Sequence, residues 1–264
     1  MRTYEEYEQI LKLWEQGENK STIAHMTGIP RATIRDCIAR YGIVKQLSQE
    51  RDRAARATPD VVLNKICDPE NAEVRRTYAY LLGMYLGDGY IVRNQRVYYL
   101  RVTLDSVYPN IIHLCAESLK ILLPENKVNI LKRKNQNCVE VICVYKFWPE
   151  IFPQDGDGRK HERDIILEDW QQEIVDTYPL EFFRGLYHSD GTRFSNVVNG
   201  KDYPRYGFTN HSDDIRNLYC DTCNLLGLHW TIKRRGSLGN RITDVYISKR
   251  KDVEYLDTVI GSKS

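Results

Sequence analysis

The sequence predicts an α+β protein in which two copies of an αββαββ unit, each with a short terminal helix, follow a small all-α unit. Two stretches carry most of that reading. "LLGMYLGDG" ends on Asp88 and Gly89, and "FRGLYHSDG" ends on Asp190 and Gly191. Aligned, Gly83 meets Gly185, Tyr85 meets Tyr187, Gly87 meets Ser189 and Asp88 meets Asp190, 102 residues apart. Such internal repeats fix architecture before any single element does. The segments after each motif also agree in register: Leu104, Ile111, Leu114 and Leu122 match Phe208, Ile215, Leu218 and Leu226 at an offset of 104. The first forty residues, in contrast, show helical periodicity.

In that N-terminal unit, Tyr7, Ile10, Leu11 and Trp14 lie at helical spacing and Gly17 stops the helix. Ser21 is positioned to cap a second helix with Ile23, Ala24 and Met26, and Gly28 makes the turn. Pro30 opens a third, "PRATIRDCIARYG", with Gly42 just past its end. Helix, short Gly turn, helix is the helix-turn-helix pattern, and the unit resembles the DNA-binding domains of resolvases and transposases. Ile34, Ile38 and Tyr41 would face inward; Arg31, Thr33, Arg35 and Arg40 would face a major groove. The alternative is a three-helix bundle with solvated arginines. The expected domains are residues 1–43 for this unit, a polar linker over 44–73, repeats over 74–153 and 175–264, and a connector over 154–174. Arg51, Arg53 and Arg56 of the linker either lie along phosphates or are simply solvated.

Within the first repeat a strand is expected near Tyr90–Val92, then "VYYLRVTL", a helix "VYPNIIHLCAESLKILL", and strands over Val128–Leu131 and Val139–Tyr145. The second repeat offers "RYGFTN" as strand, "DDIRNLYCDTCNLLGL" as helix and "TIKRRGSLGNRITDVYIS" as hairpin. Composition bounds the rest. No run is long enough to span a membrane, and "MRTYEEYEQI" is no signal peptide. The seven cysteines lack a disulfide-framework spacing and read as reduced thiols. An intracellular, cytoplasmic protein is expected. The net charge of +2 announces no polyanionic partner, so local charge carries that question. "CDTC" at Cys220–Cys223 has no second pair for zinc, and reads as a helix face. The chain has no Walker loop, Rossmann fingerprint or nucleophile triad.

With both motifs at the head of αββαββ copies, the chain resembles the single-chain LAGLIDADG homing endonucleases over roughly residues 74–264. The leading helix-turn-helix resembles free-standing bacterial and phage members, hence a nucleoid-associated protein. The resemblance implies that the motif helices pack at a pseudo-twofold axis, with Gly83, Gly87, Gly185 and Ser189 allowing close approach despite their helix cost. Leu82, Tyr85, Leu186 and Tyr187 would face the cores. Asp88 and Asp190 would meet at the helix C-termini, where free carbonyls and partial negative charge favour a cation. Mg²⁺ is the implied metal, with the carbonyls of Gly87 and Ser189 as further ligands. Gly89 and Gly191 would take a left-handed turn out of each helix. The sixth motif position, often acidic in the family, is Leu86 and His188 here. The histidine is either a proton-transfer group or a structural hydrogen-bonder, and the second is the favoured reading.

The implied activity is site-specific double-strand cleavage of DNA by metal-assisted phosphodiester hydrolysis. Lys146 in "CVYKF" and Lys249 in "YISKR" match at an offset of 103 and are the candidates for the catalytic basic residue that the resemblance implies, one that polarises the water or stabilises the transition state. Their alternative is a solubilising strand end. The two sheets would form a β-saddle over the duplex, reading it with Arg93, Asn94, Gln95, Arg96 and Arg101 from one copy and Arg193, Asn196, Lys201 and Arg205 from the other. The equivalent hairpin tips are basic in both: Lys132, Arg133 and Lys134 against Lys233, Arg234 and Arg235. A monomer acting on a long asymmetric double-stranded site follows. A non-cleaving regulator of the same ancestry and an intron maturase are the rival readings.

Overall fold

The computed structural model describes residues 4–40, 58–134, 136–235, 242–260 and 263. The chain divides into two compact units, Met1–Arg56 and Ala57–Ser264. In the first, α1 (Tyr4–Glu15), α2 (Lys20–Thr27) and a helix α3 over 31–40 surround Ile10, Ile23, Ile29, Ile34 and Cys37. Ile38 packs on that cluster, while Arg31 and Arg35 are exposed and Thr33 is half-buried. Asn19, not Ser21, caps α2: its side chain accepts from the amides of Ser21 (3.0 Å) and Thr22 (3.1 Å). Gly28 ends α2 at φ 69°, as its turn requires. Tyr41, Gly42, Arg51, Arg53 and Arg56 lie outside the described residues.

The second unit starts earlier than expected. Part of the anticipated linker is α4 (Pro59–Cys67), whose Val62 and Ile66 are buried in the main core. The polar residues around them hide a two-residue anchor, enough to dock a short helix that would not persist alone. Then come α5 (Ala72–Asp88), β1 (Gly89–Asn94), β2 (Val97–Asp105), α6 (Pro109–Leu122), β3 (Val128–Lys132), β4 (Cys138–Tyr145) and α7 (Trp148–Ile151). The connector holds a 3₁₀ turn, Lys160–Glu162, and α8 (Asp169–Thr177). The second copy has α9 (Pro179–Asp190), β5 (Gly191–Phe194), a ribbon β6 (Val197–Val198) and β7 (Lys201–Asp202), β8 (Arg205–Thr209), α10 (Asp213–Leu225), β9 (Trp230–Arg235), β10 (Ile242–Ile247) and α11 (Arg250–Val259).

Two four-stranded antiparallel sheets result, ordered β1-β2-β4-β3 and β5-β8-β10-β9. Strands β2 and β8 each turn one face to the core. Leu100, Val102 and Leu104 of β2 and Tyr206 and Phe208 of β8 enter the core, so Tyr99, Arg101 and Thr103, and Arg205, Gly207 and Thr209, line the opposite, open faces. The core between the helices and the sheets is rich in aromatics, including Tyr78, Trp148, Phe152, Phe183 and Tyr219. Cys220 and Cys223 are buried in it, and all seven cysteines are free. The ribbon β6–β7 belongs to the second copy alone and turns at Asn199 and Gly200, both with positive φ. Among the described residues no helix is long and apolar enough to cross a membrane.

Candidate active site

The motif helices α5 and α9 cross with almost nothing between them. A Cβ on Gly83 would lie 2.6 Å from the Phe182 oxygen and 2.7 Å from the Leu186 nitrogen. One on Gly185 would strike the Tyr80 carbonyl and approach the Gly83 Cα to 3.0 Å. Further along, a Cβ on Gly87 would strike the Ser189 side chain. The small residues therefore bring backbone against backbone, as expected, while Leu82, Tyr85, Leu186 and Tyr187 are fully buried on the core sides. Both helices then end on their aspartates.

The next residue departs from expectation. Gly89 (φ −87°, ψ 151°) and Gly191 (φ −83°, ψ 159°) are extended, not left-handed. Each helix runs straight into a strand, and the glycine is required by crowding. A Cβ on Gly89 would sit 2.6 Å from the Tyr85 Cα, and one on Gly191 2.8 Å from the Tyr187 Cα.

Asp88 and Asp190 share a cleft of 610 Å³ that also takes in Lys160, Arg163, Asn210 and His211. A second cleft, of 400 Å³, lies on the other side of Asp88 and is lined by Asp105, Tyr108, His188, Ser189 and Lys263. Desolvation, then the neighbouring Asp190 charge, pushes the Asp88 carboxyl up to about 7. Asp190 is also raised by desolvation, against the pull of a 2.7 Å hydrogen bond from the Asn210 amide. Both are half-buried carboxylates with raised affinity for protons, a negative pair that Lys160 and Lys263 only partly offset. That donor set, carboxylate oxygens at helix C-termini, fits a hard divalent cation with water or phosphate oxygens completing its shell. Among the described residues no cluster of three or more His, Cys, Asp or Glu offers a self-sufficient metal cage.

The carbonyls expected to help hold that metal carry lysines instead. The Lys160 ammonium donates to the oxygens of Tyr85, Leu86 (3.0 Å), Gly87 (3.3 Å) and Gly89 (2.6 Å), closing the end of α5. Lys263 donates to the Ser189 oxygen at 2.9 Å at the end of α9. Desolvation lowers both, Lys160 to about 7, with Asp88 and Asp190 pulling the other way. Arg163 fixes the loop before Lys160 by donating to the carbonyls of Gln154 (2.9 Å), Gly156 (2.5 Å) and Gly158 (3.0 Å). Neither lysine was among the expected residues. Their signal is in the sequence: "GRK" at 158–160 and "GSK" at 261–263 repeat at the offset of 103.

The structure does not bring Lys146 and Lys249 to the aspartates. Cys138, at the start of β4, lines the Asp88 cleft, and Lys146 follows the other end of that strand, roughly 25 Å away at the rise of a strand. It is exposed over the Phe147 ring at 5.0 Å. Lys249 is likewise exposed beyond β10, with its ammonium 3.1 Å from His229 Nε2. The strands run away from the cleft, so a matched strand end is the wrong end. His188 makes a hydrogen-bond contact at the junction of the motif helices while lining the second cleft. Its Nδ1 lies 3.2 Å from the Tyr80 hydroxyl, and desolvation lowers it to about 4.

The residues expected to read DNA divide by face. Arg101 and Arg205 both lie on the open faces, each with a buried Nε without a partner, but not at matched positions: Arg101 pairs with Tyr90, one residue after Gly89, whereas Arg205 pairs with Phe194, three residues after Gly191. Arg133 joins Arg101 there. On the second sheet Lys233 shares the open face of Arg205 through its register with Asp244, whereas on the first Lys132 is in register with the core residue Val139 and points to the helical side. Arg193 also misses the open face. It lies in register with the core residue Tyr206 and donates to Asp257 of α11 at 2.6 and 2.8 Å. Arg93, Arg96 and Lys134 are exposed at hairpin tips. The Arg234 and Arg235 side chains lie outside the described residues.

This architecture has solved counterparts. The crystal structure of I-DmoI in complex with DNA and Mn matches with a TM-score of 0.50 at 20% identity, over 72% of this chain and 98% of that one. Mesophilic variants of the homing endonuclease I-DmoI match with a TM-score of 0.50 at 21% identity, over 72% and 91%. The fold is that of the LAGLIDADG homing endonucleases. The N-terminal LAGLIDADG domain of DUF199/WhiA also matches, at 15% identity over 78% and 93%, with a TM-score of 0.48. No protein-family model matches the sequence, and no curated protein matches it. The LAGLIDADG fold thus rests on structure, with Asp88 and Asp190 at the motif ends where α5 meets α9.

Proposed function

We propose that the protein is a site-specific DNA double-strand endonuclease that acts as a monomer and depends on Mg²⁺ or a similar divalent cation. One observation carries the reading: two half-buried aspartates end a pair of packed motif helices, with a lysine at each helix end. A neighbour of the same fold crystallised with DNA and Mn supports it. A divalent cation at Asp88 and Asp190 would activate water and stabilise the departing oxygen. The chain's own groups do the rest. Asn210 orients Asp190 through its 2.7 Å bond. Lys160 and Lys263, one in each cleft, offer ammonium groups to the charge that develops on a phosphate. The half-burial of both clefts strengthens that attraction relative to water.

In this reading the two open sheet faces form the saddle on the duplex, with Arg101, Arg133 and Arg205 facing it. The N-terminal helices add a second contact through Arg31, Thr33 and Arg35 of α3. Two unequal halves in one chain suit a long asymmetric target.

The test is selection of bound duplexes from a randomised library, followed by incubation with Mg²⁺ or chelator. Discrete double-strand ends, lost with chelator and with Asp88→Asn or Asp190→Asn, support the endonuclease. Sequence-specific binding with no cleavage in any condition refutes it and leaves a regulator on this fold.

A further inference from the structure

Glu140 is an acidic residue where an acidic residue is costly. It sits on the open face of the first sheet, in the middle of β4, and is only 6% exposed. Its neighbours on that strand's core face, Val139 and Val141, are apolar. Three groups close over it. The Tyr90 hydroxyl donates to Oε1 at 2.6 Å, Arg133 Nη2 donates to Oε1 at 2.5 Å, and Arg101 Nη1 lies 3.4 Å from Oε2. Arg133 Nη2 is also 3.1 Å from the Tyr90 oxygen, so the donor and both acceptors form one network. The carboxyl is held below its usual range, first by the hydrogen bond from Arg133, so it stays anionic at neutral pH.

As a stability device this is poor. A buried ion pair rarely outperforms an apolar side chain of the same size. What the network does achieve is position. Each guanidinium spends one Nη on Glu140; the Arg101 Nε is buried, so the donors left to a ligand are the remaining Nη hydrogens. The two forks are about a third exposed, 33% for Arg101 and 39% for Arg133. Arg101 is further held over the Tyr99 ring at 5.8 Å. Two rigid forks with free donors suit neighbouring pairs of acceptors, as the O6 and N7 of guanine present them in a major groove.

We infer that Glu140 is a positioning residue that sets Arg101 and Arg133 to read guanine in the half-site beneath the first repeat. The inference rests on the DNA-binding reading above. Phosphate oxygens share the same acceptor chemistry, and the two sources differ in what a substitution does. Losing a base contact relaxes one position of the site. Losing a phosphate contact weakens every sequence alike and lowers the salt slope.

The experiment is base-by-base affinity profiling of the full chain on duplex variants of its selected site. Native protein is compared with Glu140→Gln, Arg133→Gln and Arg101→Gln. Expected is a guanine preference at one or two neighbouring positions, reduced roughly 5- to 100-fold by either arginine substitution. Glu140→Gln should reduce the same preference while affinity for unrelated duplex rises, because a negative charge has left the face. A merely structural carboxylate would not move the two readouts in opposite directions. Uniform weakening by the arginine variants overturns the inference in favour of phosphate contact. An unchanged base profile in all three also overturns it, while leaving the endonuclease reading intact. Arg133→Gln alters a half-exposed side chain, so it decides the matter even if Glu140→Gln does not fold. Failure of the native chain to bind any duplex specifically overturns both readings.

Discussion

Gly185→Ala is the sharpest test of how the two halves meet. The added Cβ would collide with the Tyr80 carbonyl and lie 3.0 Å from both the Gly83 Cα and the Met84 nitrogen. All three are backbone atoms of α5, so no side chain can swing aside. Alanine gains up to about 1 kcal/mol in helix propensity. Overpacking against rigid neighbours costs about 1–3 kcal/mol, and a backbone clash belongs at or above the top of that range. The net loss is about 2 kcal/mol. For a unit the size of Ala57–Ser264, each kcal/mol lowers Tm by roughly 2–4 °C. The expected fall is therefore about 4–8 °C, read by circular dichroism on the full chain. Gly156→Ala serves as control, since its Cβ would meet nothing closer than the Arg163 Cδ at 3.6 Å. An unchanged or higher Tm for Gly185→Ala would refute the account of glycine-driven helix contact.

Three further outcomes are expected. In chelator, Asp88 and Lys160 should together contribute a low point in stability near pH 7. The folded Asp88, raised to about 7, binds more protons than the unfolded chain, so its contribution falls as pH rises from about 4 to 7, with Asp190 acting in the same sense and His188, lowered to about 4, in the opposite one. Lys160, lowered to about 7, binds fewer, so stability recovers as pH climbs from 7 towards 10. Tm measured against pH for the native chain and for Asp88→Asn checks this: the difference between them should fall from about pH 4 to 7, and a flat difference contradicts it. On the selected duplex, Lys160→Met and Lys263→Met should each slow one strand at least tenfold and leave nicked product, because they line different clefts. Strand-resolved gels showing both strands slowed equally by each variant would disprove that division. Gln171→Leu should cost about 1–3 kcal/mol by denaturant melts, because it strands a buried network. Gln171 donates to the Tyr78 hydroxyl at 2.6 Å and accepts from Gln154 at 2.6 Å. A change below half a kcal/mol would show the network to be dispensable.

The repeated motifs made the fold legible, because a pairing of glycines and aspartates at one offset has few explanations other than two equivalent helices. Asp88 and Asp190 followed from the same pairing. The lysines did not, and the reason is instructive. Lys146/Lys249 and Lys160/Lys263 both recur at an offset of 103, so repetition alone cannot choose between them. What decides is the direction of β4 and β10, which leave the cleft, and the fold of a connector that returns to it. Gly89 and Gly191 were recognised as necessary but for the wrong cause. The sequence shows a missing Cβ, and only the coordinates show that Tyr85 and Tyr187 occupy its space. Arg193 looked like its counterparts in charge, yet strand register turned it towards Asp257. The helix α4 was masked by its own polarity, since Val62 and Ile66 are too sparse to stand out from a charged stretch.

The backbone contact at Gly83 and Gly185 acts as a ruler. The gap between Asp88 and Asp190 is set by main-chain atoms common to every sequence, not by the size of any side chain. Its tolerance is finer than one methyl group. The open sheet faces, their hairpin tips and the extra ribbon β6–β7 hang from this rigid hinge pin without bearing on it. Substitutions there can retune what the protein grips while the spacing at its centre stays put. The reverse also holds: Asp88→Asn or Asp190→Asn exchanges one carboxylate oxygen for an amide nitrogen and leaves every sheet face untouched, so on the proposed function a single codon would separate a cutter from a silent binder.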